Sequence, residues 1–240
     1  MTEIYEFPRE WYQFLKLSFQ LRSASQVSPR PWAGGNSIYG PHVQLWMPKL
    51  TASQIVGDGW QARDAFFSRL GGQAGLLRIS DPSRIAPQYN IEQIATAETF
   101  SDGQRFSDGT GFVSGLLPPT AHLIAAADRG ANAIQIGGLL ASTSRVLRRG
   151  DLLEIRPNGI ATAVPHLYQV MVDGSTNSAS ATGVEIRPRL RRAVAAGDMV
   201  VLSYPTSVFH LIDDSQGEIE IDAPYLANHG FSLIEAIENA

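Results

Sequence analysis

Apolar and polar residues alternate near the start of the chain. In WYQFLKLSFQLRS, Leu15, Leu17, Phe19 and Leu21 fall on one side of an extended backbone and Phe14, Lys16, Ser18 and Gln20 on the other, so Trp11 to Arg22 is expected to form a long half-buried strand. VQLWMPKL predicts a second strand that Pro48 ends or confines to a sheet edge, with Trp46 in the core. The period then changes. Thr51 and Gln54 have the spacing of a capping box, and Ile55, Gly59, Ala62, Phe66 and Leu70 recur every three or four residues, which predicts one helix over about 51–70. Gly57 and Gly59 weaken its first turns, and Gly71 supplies a left-handed cap at its end.

After the helix, GLLRISDP predicts a strand closed by an Asp-Pro turn. The run FSDGQRFSDGTGFVSG, 100–115, repeats Ser-Asp-Gly and reads as a loop at a domain boundary. Beyond Pro118 and Pro119 the texture becomes short apolar strands separated by turns: NAIQIGGLL, GDLLEIRPNG, HLYQVMVDG, GVEIRPRL and GDMVVLSYP. A spacing of this kind is that of a small barrel or sandwich. LRRGDLLEI and VAAGDMVVL each place Gly-Asp before a β run, which hints at a local repeat without establishing one. The apolar C-terminal stretch GFSLIEAIE is expected to return to the N-terminal sheet, since an isolated hairpin is only marginally stable.

The fold class that follows is mainly β with a single helix. Composition narrows the chemistry. The 240 residues include no cysteine, which excludes disulfide frameworks, thiolate nucleophiles and Cys-ligated metals, and the formal net charge of −4 gives no overall attraction to nucleic acid or an anionic membrane. MTEIYEFPREW lacks the character of a signal peptide, and the apolar run LIAAA is too short to span a bilayer, so a soluble protein without membrane contact is expected.

Motifs for catalysis are missing. Nucleophile-elbow, Walker and dinucleotide-binding patterns do not occur, and His42, His122, His166, His210 and His229 have no metal-ligand spacing. The acidic run Asp213, Asp214, Glu218, Glu220 and Asp222 fails the calcium-loop pattern and reads as a solvated turn and strand face. Arg149-Gly150-Asp151 spells an adhesion tripeptide, but its Gly-Asp is expected merely to open a strand. No catalytic residue, cofactor or metal site is therefore expected.

Two basic groups stand out as interface candidates: Arg187, Arg189, Arg191 and Arg192, the first three on one strand face, and Arg148 and Arg149 with Arg145 close by. The proline and glycine loop at 28–42 and the Ser-Asp-Gly loop at 101–111 are further candidates.

The order of segments LWMPKLT, W…AFFSRLGG, LLRISDP, VLRRGDLLEI, LYQVMVDG, GVEIRPRLRRAV, VFHLIDD and GFSLIEAIE resembles minor tail proteins of long-tailed bacteriophages, of the distal tail or tail-hub type. The resemblance implies a partly open β-barrel hub, residues 1–111 and 207–240, flanked by one α-helix, with a second small β-barrel or sandwich, 112–206, inserted. It places Ile55, Ala62, Phe66 and Leu70 against the open side of the hub. It also implies a structural virion protein and not an enzyme. Such a protein forms a homo-oligomeric ring, a hexamer as a rule, made in the host bacterial cytoplasm and built into the tail. Its partners are the tail tube protein and the hub, tip or receptor-binding proteins, with DNA only as passing cargo.

Two other readings of the residues stand beside this one. A glycan-binding β module at the tail tip would use Tyr168, Tyr204 and Phe209 as an exposed platform. A carboxylate-pair hydrolase would use Asp173 and Glu185.

Overall fold

The computed structural model describes residues 3–23, 26–27, 38–39, 44–52, 59–95, 115–158, 164–217, 220–222 and 226–237. The chain divides into two compact units, Met1–Ile79 with Ser207–Ala240, and Ser80–Thr206. The second unit thus interrupts the first in sequence. Its end lies at the 206/207 position expected, but its start lies at 79/80, well ahead of 111/112.

The first unit opens with β1 (Ile4–Glu6), β2 (Phe14–Ser23), β3 (Gln26–Val27), β4 (Ile38–Tyr39), β5 (Gln44–Ala52), α1 (Gly59–Leu70) and β6 (Leu76–Ser80). The second contains α2 (Gln88–Ala95), β7 (Thr120–Leu123), β8 (Ala133–Gly137), β9 (Leu152–Arg156), β10 (His166–Val170), β11 (Thr182–Arg187) and β12 (Met199–Val201). The chain then continues through β13 (Thr206–Leu211), β14 (Glu220–Asp222), β15 (Leu226–Asn228) and β16 (Gly230–Glu235). The protein is mainly β, as the alternation predicts.

In the first unit six strands form one mixed sheet in the order β1, β6, β13, β16, β5, β2, with β1 parallel to β6. The C-terminal strand β16 does return to the sheet that holds the N-terminal strands. Two expectations need correction here. Strand β5 is not an edge, because β2 and β16 flank it on either side. Its register with β16 covers Lys49 to Thr51 and stops beside Pro48, which has no N–H for a ladder. Within β2 a bulge between Phe14 and Lys16 interrupts the alternation and leaves Leu15 65 % exposed, while Phe14 reaches the interior rings.

The core of this unit is aromatic. Phe7, fully buried, lies within 5.7 Å of the Trp11 and Phe231 ring centres and 6.0 Å of Phe66. The helix begins at Gly59, and Thr51 and Ala52 belong to β5, so the capping box at Thr51 is not formed. The buried stripe is Arg63, Phe67 and Leu70, with Phe66 half-buried beside Phe7 and Trp11, whereas Ala62 is exposed and Ile55 lies outside the described residues. Phe67 fixes this phase by meeting His229 at 4.6 Å and Phe231 at 5.2 Å. Arg63 occupies its buried site by lying over the Trp11 ring at 5.4 Å and donating to the Trp11 carbonyl. Gly71 follows with φ 76°, the left-handed cap expected.

A second helix, α2, was not expected. Its first N–H, on Gln88, donates to Asp151 Oδ1 at 2.9 Å, a cap supplied from far along the chain, so the local pattern carries little of the signal.

The second unit is a closed barrel in the order β10, β11, β8, β7, β12, β9, with antiparallel neighbours throughout. Closure leaves no free sheet edge. Alternate residues, among them Leu123, Ile134, Ile136, Leu153, Ile155, Val184, Ile186 and Val200, fill its interior. The two Gly-Asp segments form the same turn. Asp151 N–H donates to the Arg148 carbonyl and Asp198 N–H to that of Ala195, with Gly150 and Gly197 at φ 99° and 92°. Each aspartate then accepts the N–H of the residue three positions back on Oδ2, at 2.8 and 2.9 Å. Each Oδ1 ties down a remote segment, Gln88 N–H in one case and Asn158 N–H in the other. The resemblance of the two segments is therefore one of turn chemistry.

Candidate functional site

A cleft of about 360 Å³ in the second unit is lined by Ser83, Arg84, Ala86, Gln88, Ile91, Arg145, Arg148, Arg149, Gly150, Asp151 and Asp173. It is assembled from the Asp-Pro turn after β6, the start of α2, the Gly-Asp turn before β9 and the loop after β10.

Each carboxylate there organises a neighbour. Buried Asp81 accepts Ser83 N–H at 2.8 Å and Arg84 Nε at 2.7 Å, which sets the guanidinium so that Nη1 donates to the Gly150 carbonyl. Glu92 on α2 takes both Nη groups of Arg148, the Nη2 bond being 2.7 Å. Asp173 accepts Arg149 N–H at 2.9 Å and Arg145 Nε at 2.8 Å. These bonds, the Arg149 N–H foremost, hold the Asp173 carboxyl below the ordinary aspartate range. The Arg148 hydrogen bond does the same for Glu92. Asp151 is different: burial pushes its pKa up, against the two N–H groups that cap it.

Asp151 is also only 7 % exposed, so the Arg-Gly-Asp tripeptide presents no carboxylate to a partner.

The structure separates the first arginine group. Arg187 ends β11 and pairs with Glu185 at 3.5 Å; Pro188 follows and cannot continue the ladder, so Arg187, Arg189 and Arg191 do not share a strand face. Arg189 is exposed. Arg191 is buried at 9 % and its N–H donates to the Tyr168 hydroxyl. Arg192 donates to the carbonyls of Val164 and Ile155, and burial lowers its pKa. Of this group only Arg189 is an open surface cation. Arg148 and Arg149 both line the cleft with Arg145, so the second group is brought together.

The glycan platform is not formed either. Tyr168 and Phe209 are core residues, 1 % and 0 % exposed, and only Tyr204 is half-buried. Asp173 and Glu185 each serve an arginine, Arg145 and Arg187. Asp213 caps Ser215 and Asp214 accepts Gln73 N–H, while Glu218 and the side chains of Glu220 and Asp222 lie outside the described residues. Among the described residues no cluster of His, Asp or Glu could hold a metal ion, and no helix is long and apolar enough to cross a membrane. The loop at 101–111 lies outside the described residues, as does His42. So does the loop at 28–42 apart from Ile38 and Tyr39, which pair with Gln26 and Val27.

Sequence reasoning found Arg145, Arg148 and Arg149 but missed Arg84, Asp81 and Glu92. Asp-Pro-Ser-Arg is a recognisable turn, yet nothing local says that it faces the turn 66 residues on. No family model matches the chain, and comparison with curated proteins finds no match.

Proposed function

We propose that the protein is a structural subunit of a bacteriophage tail, forming a ring at the distal end that joins the tail tube to the hub or receptor-binding tip and lets DNA pass. The observation that carries the reading is the architecture of one sheet unit, flanked by a helix and interrupted in sequence by a small closed barrel. This is the organisation that the resemblance to distal tail and tail-hub proteins implies. It is supported by the use of the polar groups: the buried ones described hold turns, caps and strand ends in place. The partners would be further copies of the chain, the tube protein and the tip proteins, and the location the virion tail. The role requires no catalysis. A glycan-binding module is the weaker reading, since two of its three aromatics lie in the core.

Native mass spectrometry of the purified chain, with negative-stain imaging of any oligomer and of tail tubes incubated with it, tests the proposal. A closed ring, of six copies or three, with a channel wide enough for duplex DNA is expected. A strict monomer at every concentration that also fails to add to tail tubes would overturn it.

A further inference from the structure

We infer that the cleft of the second unit binds a small ligand bearing a carboxylate or phosphate group, seated on Arg145 and Arg149. The inference is independent of ring assembly and rests on a balance of hydrogen-bonding groups. Every carboxylate at the cleft already accepts bonds from the protein. Asp81 serves Ser83 and Arg84, Asp151 serves Arg148 and Gln88, Asp173 serves Arg149 and Arg145, and Glu92 serves Arg148.

The donors are not exhausted. A guanidinium carries five N–H groups and no acceptor. Arg145 commits Nε alone, so its two Nη groups have no protein partner among the described residues. The Arg149 guanidinium, whose charge acts on Asp173, makes no hydrogen bond there either, since only its main-chain N–H is engaged. The cleft therefore presents guanidinium N–H groups without a protein acceptor beside carboxylates that are each already engaged by the protein, and the chemistry that complements those donors is an oxyanion. Two neighbouring guanidinium forks suit the paired oxygens of a carboxylate or phosphate.

A second feature concerns how Arg145 is held. Its φ is 50°, a left-handed conformation that side chains with a Cβ rarely adopt, and Ser175 Oγ accepts its N–H at 3.0 Å. The backbone thus keeps an unfavourable turn that brings Arg145 to Asp173, beside Arg149, while its side chain stays 57 % exposed. Ile91 and Ala86 add an apolar wall for the carbon body of the ligand. A volume of about 360 Å³ is at the small end for ligand sites, the scale of a single sugar ring or a short diacid.

Titration of the isotope-labelled full chain with inorganic phosphate, glucuronate and neutral glucose, followed by amide NMR, tests the inference. Saturating shifts at Gln88, Arg149 and Gly150 with phosphate, glucuronate or both are expected, with a dissociation constant on the order of 1 mM, and none with glucose. The anion that binds more tightly identifies the oxyanion preferred. Arg149→Ala and Arg145→Ala should each weaken binding about tenfold. Arg149 is exposed and its side chain makes no hydrogen bond among the described residues, so its variant should keep the fold intact. Arg189→Ala, an exposed arginine away from the cleft, should leave binding unchanged. Equal shifts with glucose, equal weakening by Arg189→Ala, or no anion-dependent shift at these amides up to about 50 mM would overturn the inference.

Discussion

The main-chain N–H of Trp46 donates to the side-chain carboxyl of Glu235 at 3.2 Å, across 189 residues of sequence. The bond lies beyond Pro48, where the register of β5 with β16 has stopped, so a side chain supplies the acceptor that a strand carbonyl otherwise provides. Both residues are buried, Trp46 at 1 % and Glu235 at 4 %. Glu235→Ala removes the carboxyl acceptor of a buried N–H and should destabilise the first unit by about 1–3 kcal/mol, whereas Glu235→Gln keeps an oxygen in place and should recover most of the loss. Urea denaturation of the two variants makes the comparison; equal loss in both would show that the acceptor is not what matters.

Two buried histidines make the protein acid-sensitive. His166 in the second unit is held down to a pKa of about 3, by burial and then by Arg192 and Arg191. His229 in the first is held to about 4, by burial and by Arg63 against a bond to the Gln216 carbonyl. Each folded pKa lies below the unfolded value near 6.5, so the unfolded chain takes up protons first. The stability is whole above about pH 6.5 and falls as pH drops towards 4 for His229 and 3 for His166, by up to about 1.4 kcal/mol per pH unit for each histidine. Between pH 7.5 and 5 each should cost about 2 kcal/mol. Denaturation curves at the two pH values, with His166→Gln and His229→Gln, check this: each substitution should remove its own share of the pH dependence.

The paired Gly-Asp turns should respond alike to the same change. Asp151→Ala and Asp198→Ala each release two N–H groups and should lower barrel stability by about 1–3 kcal/mol. Gly150→Ala and Gly197→Ala force a Cβ into positive φ and should cost about 1–2 kcal/mol. Thermal unfolding of the four variants is the measurement. A neutral Asp198→Ala beside a damaging Asp151→Ala would mean that the shared geometry does not carry shared energetics.

Arg189 and Arg192, three residues apart, should behave differently. Arg192→Ala leaves the Val164 and Ile155 carbonyls without their donor and should destabilise the barrel by about 1–2 kcal/mol. Arg189→Glu, at an exposed position, should stay within about 0.5 kcal/mol of the parent. Charge reversal at Arg189 thus tests an interface without confounding it with folding, which reversal at Arg191 or Arg192 cannot do.

The strands were legible in the sequence because their period of two is a local property: β2, β5 and β8 to β12 all fall on segments whose apolar pattern marks them. What failed was non-local. Pro48 argues for an edge only until Glu235 is seen to replace the missing ladder. Arg63 breaks an apolar stripe unless the Trp11 ring is known to lie under it. The Arg187 to Arg192 run looks like a basic face until Pro188 ends the strand and the last two arginines turn inward. In the cleft, the arginines on one turn could be read together, but Asp81, Glu92 and Arg84 arrive from elsewhere in the chain. Side-chain caps such as Asp151 on Gln88 explain why α2 escaped notice.

Closure of the barrel has a bearing on how such a chain can change over generations. All six of its strands come from the continuous stretch 120–201, and the first unit's sheet borrows none of them. The chain leaves that sheet by β6 and re-enters by β13, which are hydrogen-bonded neighbours there. The barrel is in this sense a cassette: its ladders are its own, and apart from the Glu154 carboxylate that receives Thr206 at the start of β13, a change within it need not open a ladder in the sheet.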